Sequence, residues 1–455
     1  METATTVAEQ LSLYEVEPEV KKGGKKAAFS DPAFAGNKQL PVHRWVPWIA
    51  GFASDFVQDA LRRHLRKPGI VLDPFAGVGT TLVEAMRAGH DAIGFEINPY
   101  AALACQVKTS ADRILPELLQ AEMHSLECFF QRAMATDYQP EYEPPKGFHT
   151  RTEFFSPKVL RKVLVLWDYV SAIEDPIIDR TFRLAFASTM VQYSNYSYEP
   201  SLGTRRGAGK ADIEDYDVLG ITLRKLADIL EDVCWLRHHD GFGSAKASMV
   251  HDSFFNCSQH VGSGTVDLLI TSPPYLNNYH YVRNTRPHLY WLGFVEDASE
   301  TKPLEDANFG KFWQTVRNDE RLDLAFSLPG SDLADLLEHL RTLNADRGVY
   351  GGNGWANYAA AYFNDCYRYA KGMRHVLKPG ATALTVLGNS IVQGIDIATD
   401  RYLGEIAELV GLEVVDIHTP RATRVGNSII QSDVRVGKAK NGRQLYEAVV
   451  EVRKP

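Results

Sequence analysis

The chain has few cysteines and no long hydrophobic run. Its five cysteines are odd in number and widely scattered, so they predict neither a disulfide framework nor a paired zinc site. No apolar run approaches the roughly twenty residues that cross a bilayer. The first residues, Met1 to Ala4, have neither the basic start nor the apolar core of a secretion signal. We therefore expect a cytoplasmic protein without a membrane segment.

Positive charge is also scarce overall. The net charge is −8, with 45% hydrophobic and 23% charged residues, which is typical of a globular protein and counts mildly against binding to nucleic acid. The distribution matters more than the sum. Residues 419–443 hold a run of basic side chains, including Arg421 and Arg424, against a single aspartate. This run is interpreted either as a solvated loop or as a contact to nucleic acid, and both stay open.

The 455 residues allow two or three domains, or one domain with insertions. Residues 1–36 are polar and predict a flexible leader. Residues 37–110 and 246–455 alternate short apolar runs with turn residues and helical patterns, which predicts an α/β domain. Residues 111–245 have a long helical pattern, interpreted as an insertion. Residues 296–350 form a second, smaller insertion with a helix near 331–343.

The α/β segments predict seven strands and several helices from hydrophobic periodicity. The predicted helices are 54–65, 80–88, one starting at Asn98-Pro99, and 357–376, which ends at Leu377-Lys378-Pro379-Gly380. The predicted strands are 70–72, 92–95, 248–250, 266–270, 384–387, 414–417 and 448–452.

A glycine loop, Asp73 to Gly79, follows the first strand. Leu82 stands where a dinucleotide-binding loop has its third glycine, and no Gly-Lys-Ser/Thr follows, so neither phosphate-binding fingerprint is present. Glu96 ends the next strand, twenty-three residues after Asp73, where a carboxylate accepts hydrogen bonds from both hydroxyls of a ribose. Asp73 is suited to face a cationic or amino group. These features favour S-adenosylmethionine, which has a ribose, an adenine and no phosphate, over a structural turn.

The strand 266–270 leads into Thr271-Ser272-Pro273-Pro274-Tyr275. The prolines stiffen the turn, Ser272 Oγ and the Pro273 carbonyl offer two acceptors, and Tyr275 offers a ring to stack on a base that has left the duplex. Two acceptors on an exocyclic amine favour a pyramidal nitrogen and free its lone pair for methyl transfer. The alternative is a turn that merely ends a strand.

The two segments Asp73–Thr80 and Thr271–Tyr275 resemble the signature motifs of the amino-group DNA methyltransferases, which modify cytosine N4 or adenine N6. Residues 94–99 and 251–253 resemble the ends of the family's second and third strands, and the segment from His43 to Phe56 more weakly resembles the helix over the methionine end of the cofactor. The resemblance covers roughly residues 40–105 and 247–455.

By this resemblance, the catalytic residues would be Ser272, Pro273, Pro274 and Tyr275. The candidate cofactor contacts are Asp73, Phe75, Gly77, Gly79, Thr80, Glu96, Asn98 and Asp252. Of these, a residue at the position of Asn98 is more often only a helix cap, and Asp252 is equally well explained as a turn residue. The resemblance implies a seven-stranded Rossmann-like class I methyltransferase sheet, closed by the last two strands and carrying a largely helical insertion. This insertion, residues 111–245, departs from compact family members and is the candidate for target recognition.

The resemblance also implies a reaction. A serine at the first motif position is associated with cytosine N4, whereas aspartate or asparagine is more usual for adenine N6. Cytosine C5 chemistry needs a Pro-Cys nucleophile, and no cysteine follows a proline here. The expected reaction is direct transfer to a base flipped out of double-stranded DNA, without a metal. A restriction or defence-system partner is consistent with this function. The candidate DNA contacts are Arg205, Arg206, Arg283, Arg286, Arg421 and Arg424.

Three alternatives remain at this stage. Methylation of adenine N6 would use the same site. An RNA base methyltransferase would more often have aspartate or asparagine in place of Ser272. An inactive relative that only binds nucleic acid would not need the intact motif.

Overall fold

A computed structural model of the protein describes residues 29, 34–48, 51, 53–198, 201–238, 242–276, 280–421 and 445–455. The leader predicted for residues 1–36 lies mostly outside these ranges, and so does most of the basic segment 419–443.

Seven of the described strands form one sheet in the order β6-β7-β5-β4-β1-β2-β3. All run parallel except β7, which is antiparallel to both β5 and β6. The seven-stranded Rossmann-like sheet predicted from the sequence is thus confirmed, including its closing strand pair. The strands are Ile70–Asp73 (β1), Asp91–Phe95 (β2), Ala247–Val250 (β3), Val266–Thr271 (β4), Leu377–Gly388 (β5), Glu413–Arg421 (β6) and Glu447–Arg453 (β7).

The glycine loop and the Thr271–Tyr275 turn leave neighbouring strands. β1 pairs directly with β4, with Val71 opposite Leu268, and the strand order reverses between these two strands. Both strands are apolar and buried, as expected for the centre of a parallel sheet. Ligands of open α/β sheets bind at the carboxyl ends of the strands where the order reverses. The topology therefore places the two motifs side by side.

Helices connect the strands and form both insertions. Proline occupies the first turn of α3 to α6, a position where the missing N–H costs nothing. None of the described helices is long and apolar enough to cross a membrane. Short helical turns cover Cys257–His260 and Trp313–Val316. The longer helices are Ser54–His64 (α1), Thr80–Arg87 (α2), Pro99–Thr109 (α3), Pro116–Ala135 (α4), Pro157–Val170 (α5), Pro176–Thr189 (α6), Val218–Arg237 (α7), Tyr281–Trp291 (α8), Thr301–Ala307 (α9), Leu333–Thr342 (α10), Asn353–Val376 (α11) and Thr399–Leu409 (α12).

The segment predicted as a helical insertion, 111–245, contains α4 to α7 and a short hairpin of Tyr196–Tyr198 with Leu202–Thr204. Its apolar side chains share one core with α3, α8 and the segment before α1. On α7, the buried Asp232 accepts hydrogen bonds from Val42 N at 2.8 Å and from Trp45 Nε1 at 2.7 Å. The insertion therefore holds the segment before α1 in place.

Residues 296–350, the predicted second insertion, contain α9 and α10. α10 packs against α11 in a different core, whereas Leu304 of α9 packs against the core of the first insertion. The helix predicted over 357–376 ends at Val376, as predicted, and β5 begins directly afterwards at Leu377. A register shift against β4 accommodates the first residues of β5, and Gly380 adopts a φ of 79° and donates to the carbonyl of Lys454 at 2.7 Å. A bulge tolerates a proline and a glycine that a regular strand would not.

Candidate active site

A cavity lies at the carboxyl ends of β1 to β4. Its wall includes Gly77 from the glycine loop, Glu96 after β2, Asp252 after β3 and Ser272 with Pro274 after β4. The structure thus brings the glycine loop and the Ser272 turn to one cavity, as the sequence motifs predict. We call this space the first cavity.

Glu96 is held by backbone donors at the rim of the glycine loop. Its Oε2 accepts from Gly77 N at 2.9 Å and its Oε1 accepts from Asn98 N at 2.8 Å. Burial raises the pKa of Glu96 to about 7, although both backbone hydrogen bonds favour the carboxylate. Each carboxylate oxygen keeps a further acceptor position. Glu96 is therefore oriented to accept two more hydrogen bonds from a ligand in the first cavity.

The two glycines of the loop have different tasks. Gly77 has a φ of 50°, and a Cβ there would lie 3.4 Å from Trp48 Nε1 on the cavity wall. Gly79 has a φ of 86°, and a Cβ there would lie only 2.9 Å from Cys105 Sγ on α3. Gly79 therefore permits α2 and α3 to pack. Neither Gly79 nor Thr80, the buried first residue of α2, lies on the wall of the first cavity.

Asp73 connects two neighbouring strands through hydrogen bonds and is not part of the cavity wall. Its fully buried carboxylate accepts from Thr81 Oγ1 at 2.5 Å and from Thr271 Oγ1 at 2.6 Å, and also from the Phe75 backbone N–H at 3.0 Å. Burial raises its pKa to about 6, against these three hydrogen bonds. Asp73 does not lie on the wall of the first cavity, and its expected contact with the amino group of a ligand stays a prediction. We assign it the task of joining the ends of β1 and β4.

Replacing Asp73 by alanine is expected to lower the free energy of unfolding by about 2 kcal/mol, because buried hydroxyls lose their acceptor. Asp73→Asn keeps one acceptor oxygen and should lose less. Urea unfolding of both variants measures this difference. A variant that unfolds like the wild type but loses cofactor affinity would instead make Asp73 a direct ligand contact.

The turn after β4 presents Ser272 and Pro274 to the first cavity, while Pro273 is buried. Within the described part of the chain, the Ser272 hydroxyl has no hydrogen-bond partner, so it is available to a substrate. Tyr275 is half-buried against the core around α11, and its hydroxyl donates to Glu447 Oε1 at 3.2 Å. Its ring is not on the wall of the first cavity, so the structure does not bring it together with Ser272 and Pro274 there.

Asp252 lies on the cavity wall, but its carboxylate is already engaged. Oδ2 lies 2.8 Å from His260 Nε2, and Oδ1 accepts from Asn256 Nδ2 at 2.9 Å. Burial opposes ionisation, but these bonds outweigh it and hold the pKa of Asp252 below its usual value. Asp252 thus stays charged in a fixed orientation.

Asn98 caps α3 by accepting from Tyr100 N, as its position before a proline predicts. Its Nδ2 also donates to Thr285 Oγ1 on α8 at 2.7 Å. Asn98 lines the first cavity while being buried. Its side chain therefore serves mainly to hold α8 against the strand ends. Phe75 supplies an apolar part of the same wall.

Several wall residues were not among the sequence candidates. Trp48 and Tyr281 form an almost parallel pair with ring centroids 6.4 Å apart. From the second insertion, Asn308 and Phe309 close another side of the cavity. For Trp48, the only sequence signal of a place on the cavity wall was its aromatic side chain in the segment before α1. No sequence pattern marks Asn308.

The arginines proposed as DNA contacts on the insertion differ in their surroundings. Arg205 donates through Nε to the carbonyl of Ala211 at 2.8 Å and is half-buried. Arg206 is exposed and pairs with Asp212 at 2.7 Å. Neither lies on the wall of the first cavity.

The remaining arginines lie on α8 or at the end of β6. Arg283 is exposed, whereas the Arg286 guanidinium lies over the rings of Phe148 and Tyr290, at 5.8 and 5.5 Å from their centroids. Arg421 is the last residue of β6, and Arg424 lies outside the described residues.

Comparisons with known proteins agree with this geometry. Residues 31–106 match the model of a family described as DNA methylase. The Type II methyltransferase M.BsoBI of Geobacillus stearothermophilus is 25% identical over 437 residues, which cover 87% of this chain and 83% of that protein. The Type II methyltransferase M.AvaI of Nostoc sp. is 24% identical and covers 85% of this chain and 82% of its own length.

A third relative matches only a short region. The Type II methyltransferase M.MjaII of Methanocaldococcus jannaschii is 40% identical over 67 residues, which are 15% of this chain and 13% of that protein. Among solved structures, an rRNA methyltransferase from Streptomyces viridochromogenes aligns over 90% of this chain and 87% of its own, with 8% identity and a TM-score of 0.28. That likeness is too weak to carry an argument.

Proposed function

Because this chain belongs to the amino-group DNA methyltransferase family, we propose that it transfers a methyl group from S-adenosylmethionine to an exocyclic amine of a DNA base. We propose cytosine N4 as the preferred target atom. The observation that carries the proposal is the first cavity, whose wall holds both Glu96 with Gly77 and Ser272 with Pro274. A methyl donor on one side and an amine on the other would meet there.

The wall of the first cavity fits this cofactor. Glu96 offers carboxylate oxygens to a ribose, and Ile97 and Phe254 offer apolar surface to an adenine. Asn308 is buried, and its Nδ2 has no hydrogen-bond partner within the described residues. A buried donor without a partner is costly unless a ligand supplies one. A nucleoside with ring nitrogens as acceptors would satisfy it.

When bound, S-adenosylmethionine supplies an electrophilic methyl group on a sulfonium. The chain's own residues prepare the amine. Ser272 Oγ and the Pro273 carbonyl accept the two amine hydrogens, which favours a pyramidal nitrogen with a free lone pair. The two prolines restrict the backbone of the turn, so the two acceptors stay in place when the substrate binds. The methylated nitrogen then loses one hydrogen as a proton to water.

Cytosine is placed before adenine because a serine begins the turn, and the resemblance to the family associates a serine at this position with cytosine N4. Adenine N6 methylation is the alternative at the same site.

The test is transfer of labelled methyl groups to unmethylated duplex DNA by the purified protein, followed by digestion to nucleosides and mass spectrometry. We expect N4-methylcytosine. N6-methyladenine would reverse the preference between the two bases. Label in RNA alone, or in no nucleic acid, would overturn the proposal.

Cofactor binding is expected to strengthen with rising pH. The ribose hydroxyls require the Glu96 carboxylate, and its raised pKa of about 7 leaves much of it protonated below neutrality. Protonation removes an acceptor, so affinity is low below the pKa and gained above it. Between pH 6 and pH 8 the carboxylate fraction rises about tenfold, and the association constant should rise in proportion.

Isothermal titration of S-adenosylhomocysteine at pH 6, 7 and 8 measures this dependence. Glu96→Gln is the control, because its amide does not titrate and its profile should be flat in this range. If the affinity of the wild type changes with pH as little as that of the control, protonation of Glu96 does not control cofactor binding.

A further inference from the structure

A second cavity, of about 420 Å³, lies between the insertion and α8. Its walls come from the end of α6, the hairpin 196–204, α8 and Trp48. Trp48 and Tyr281 line both cavities, so their paired rings are the partition between the two. The second cavity therefore adjoins the catalytic space directly.

The lining of the second cavity combines ring faces with positive charge. Tyr100, Tyr196 and Tyr198 contribute aromatic surface, and Arg205 and Lys210 contribute cations. Among its described lining residues there is no carboxylate. Aromatic faces beside cations are how proteins bind unstacked nucleotides, the base on the rings and the phosphate on the charges.

One buried polar atom in this wall, Ser197 Oγ, has no hydrogen-bond partner within the described residues. Buried polar groups are normally satisfied, so this atom points to a ligand with polar edges, such as a base. Beside it, the ring of His288 is 4% exposed and stacks on Tyr100 with centroids 4.2 Å apart.

Two hydrogen bonds connect the wall of the second cavity to the helix that follows the catalytic turn. Asn284, on the helix that follows this turn, accepts from Leu202 N through Oδ1 at 2.6 Å, and its backbone carbonyl accepts from Tyr198 Oη at 2.9 Å. The hairpin is thus fixed to α8. A nucleotide in the second cavity would be held at a defined position relative to Ser272.

We propose that the second cavity binds one unstacked nucleotide of the DNA substrate, distinct from the target nucleotide. The target amine must reach Ser272, which lies on the wall of the first cavity but not of the second. The cations and rings of the second cavity suit a neighbouring or partner nucleotide. This inference rests on the proposed function of the first cavity.

The first experiment compares Arg205→Ala with Arg224→Ala. Arg205 lines the second cavity, whereas Arg224 on α7 of the same insertion is 67% exposed and does not line it. On a duplex that the wild type methylates, Arg205→Ala should weaken binding about tenfold and lower the dependence of DNA affinity on salt concentration by about one phosphate contact. Arg224→Ala should stay close to the wild type. Equal losses would mean diffuse surface attraction and would overturn the proposal.

The second experiment places an abasic nucleotide at each position of that duplex in turn. Abasic sites remove the cost of unstacking a base, so binding should strengthen at the target and at one further position. Gln192→Trp, at an exposed position on the wall of the second cavity, should abolish only the second response. A response confined to the target position would overturn the inference.

Two controls separate the possible failures. Titration of S-adenosylhomocysteine should give the wild-type Kd for every variant, which shows that the first cavity is intact. If the wild type methylates no DNA at all, the proposed function fails. If it methylates DNA but the abasic scan shows one position, only the second cavity loses its assignment.

Discussion

Glu96→Ala is expected to weaken S-adenosylmethionine binding about a hundredfold. The carboxylate lies between Gly77 N and Asn98 N and keeps acceptor positions directed to the first cavity. Two hydrogen bonds from a ribose to a charged acceptor contribute about 3 kcal/mol together, which corresponds to about a hundredfold in Kd. The loss should appear in equilibrium titration without any nucleic acid.

Asp252→Asn is the matched comparison. Asp252 also ends a strand and lines the first cavity, but His260 and Asn256 already occupy its carboxylate. It should therefore cost much less affinity than Glu96→Ala. If the two variants lose affinity equally, the ribose is not the ligand group that Glu96 recognises. Thermal unfolding of both variants checks that neither effect comes from misfolding.

Ser272→Ala is expected to lower kcat by about a hundredfold to a thousandfold, the range for loss of one preorganised polar contact to a transition state. The Ser272 hydroxyl lies on the wall of the first cavity beside Pro274. Its loss leaves the amine with a single acceptor and a more delocalised lone pair. The cofactor Kd should not change, because Ser272 acts on the substrate side.

Ser253→Ala provides the control for this experiment. Ser253 lines the same cavity, but its hydroxyl accepts from Phe255 N and serves a helical turn. Single-turnover methylation should give a nearly wild-type rate for Ser253→Ala and a slow rate for Ser272→Ala. A Ser272→Ala enzyme at the wild-type rate would remove the serine from the catalytic turn. It would leave the backbone carbonyl of Pro273 as the only acceptor.

Local sequence signals predicted the central part of the fold. The apolar runs before Asp73 and Thr271 are both short, bounded by turn residues and buried on both faces, and both form strands of the sheet. Glu96 was identified by spacing, because one strand, one helix and the next strand occupy a nearly constant length of chain. The cap at Asn98 followed from its proline neighbour.

Contacts between distant segments were not predictable in this way. Asp73 has the sequence position of a cofactor contact, yet its buried carboxylate accepts a hydrogen bond from Thr271, 198 residues further along. Residues 377–380 were predicted only as the end of a helix, yet pairing with the chain near Lys454 makes them part of β5.

The sequence by itself determined the α/β class, the glycine loop, the Ser272 turn and the acceptor at Glu96, because each depends on residues close together in the chain. Only the tertiary structure decided that Trp48 and Asn308 close the first cavity and that Arg205 faces a second one. Those positions follow from how two insertions pack onto the strand ends. Such packing depends on the shapes of side chains from distant segments, and it leaves no periodic mark in the sequence.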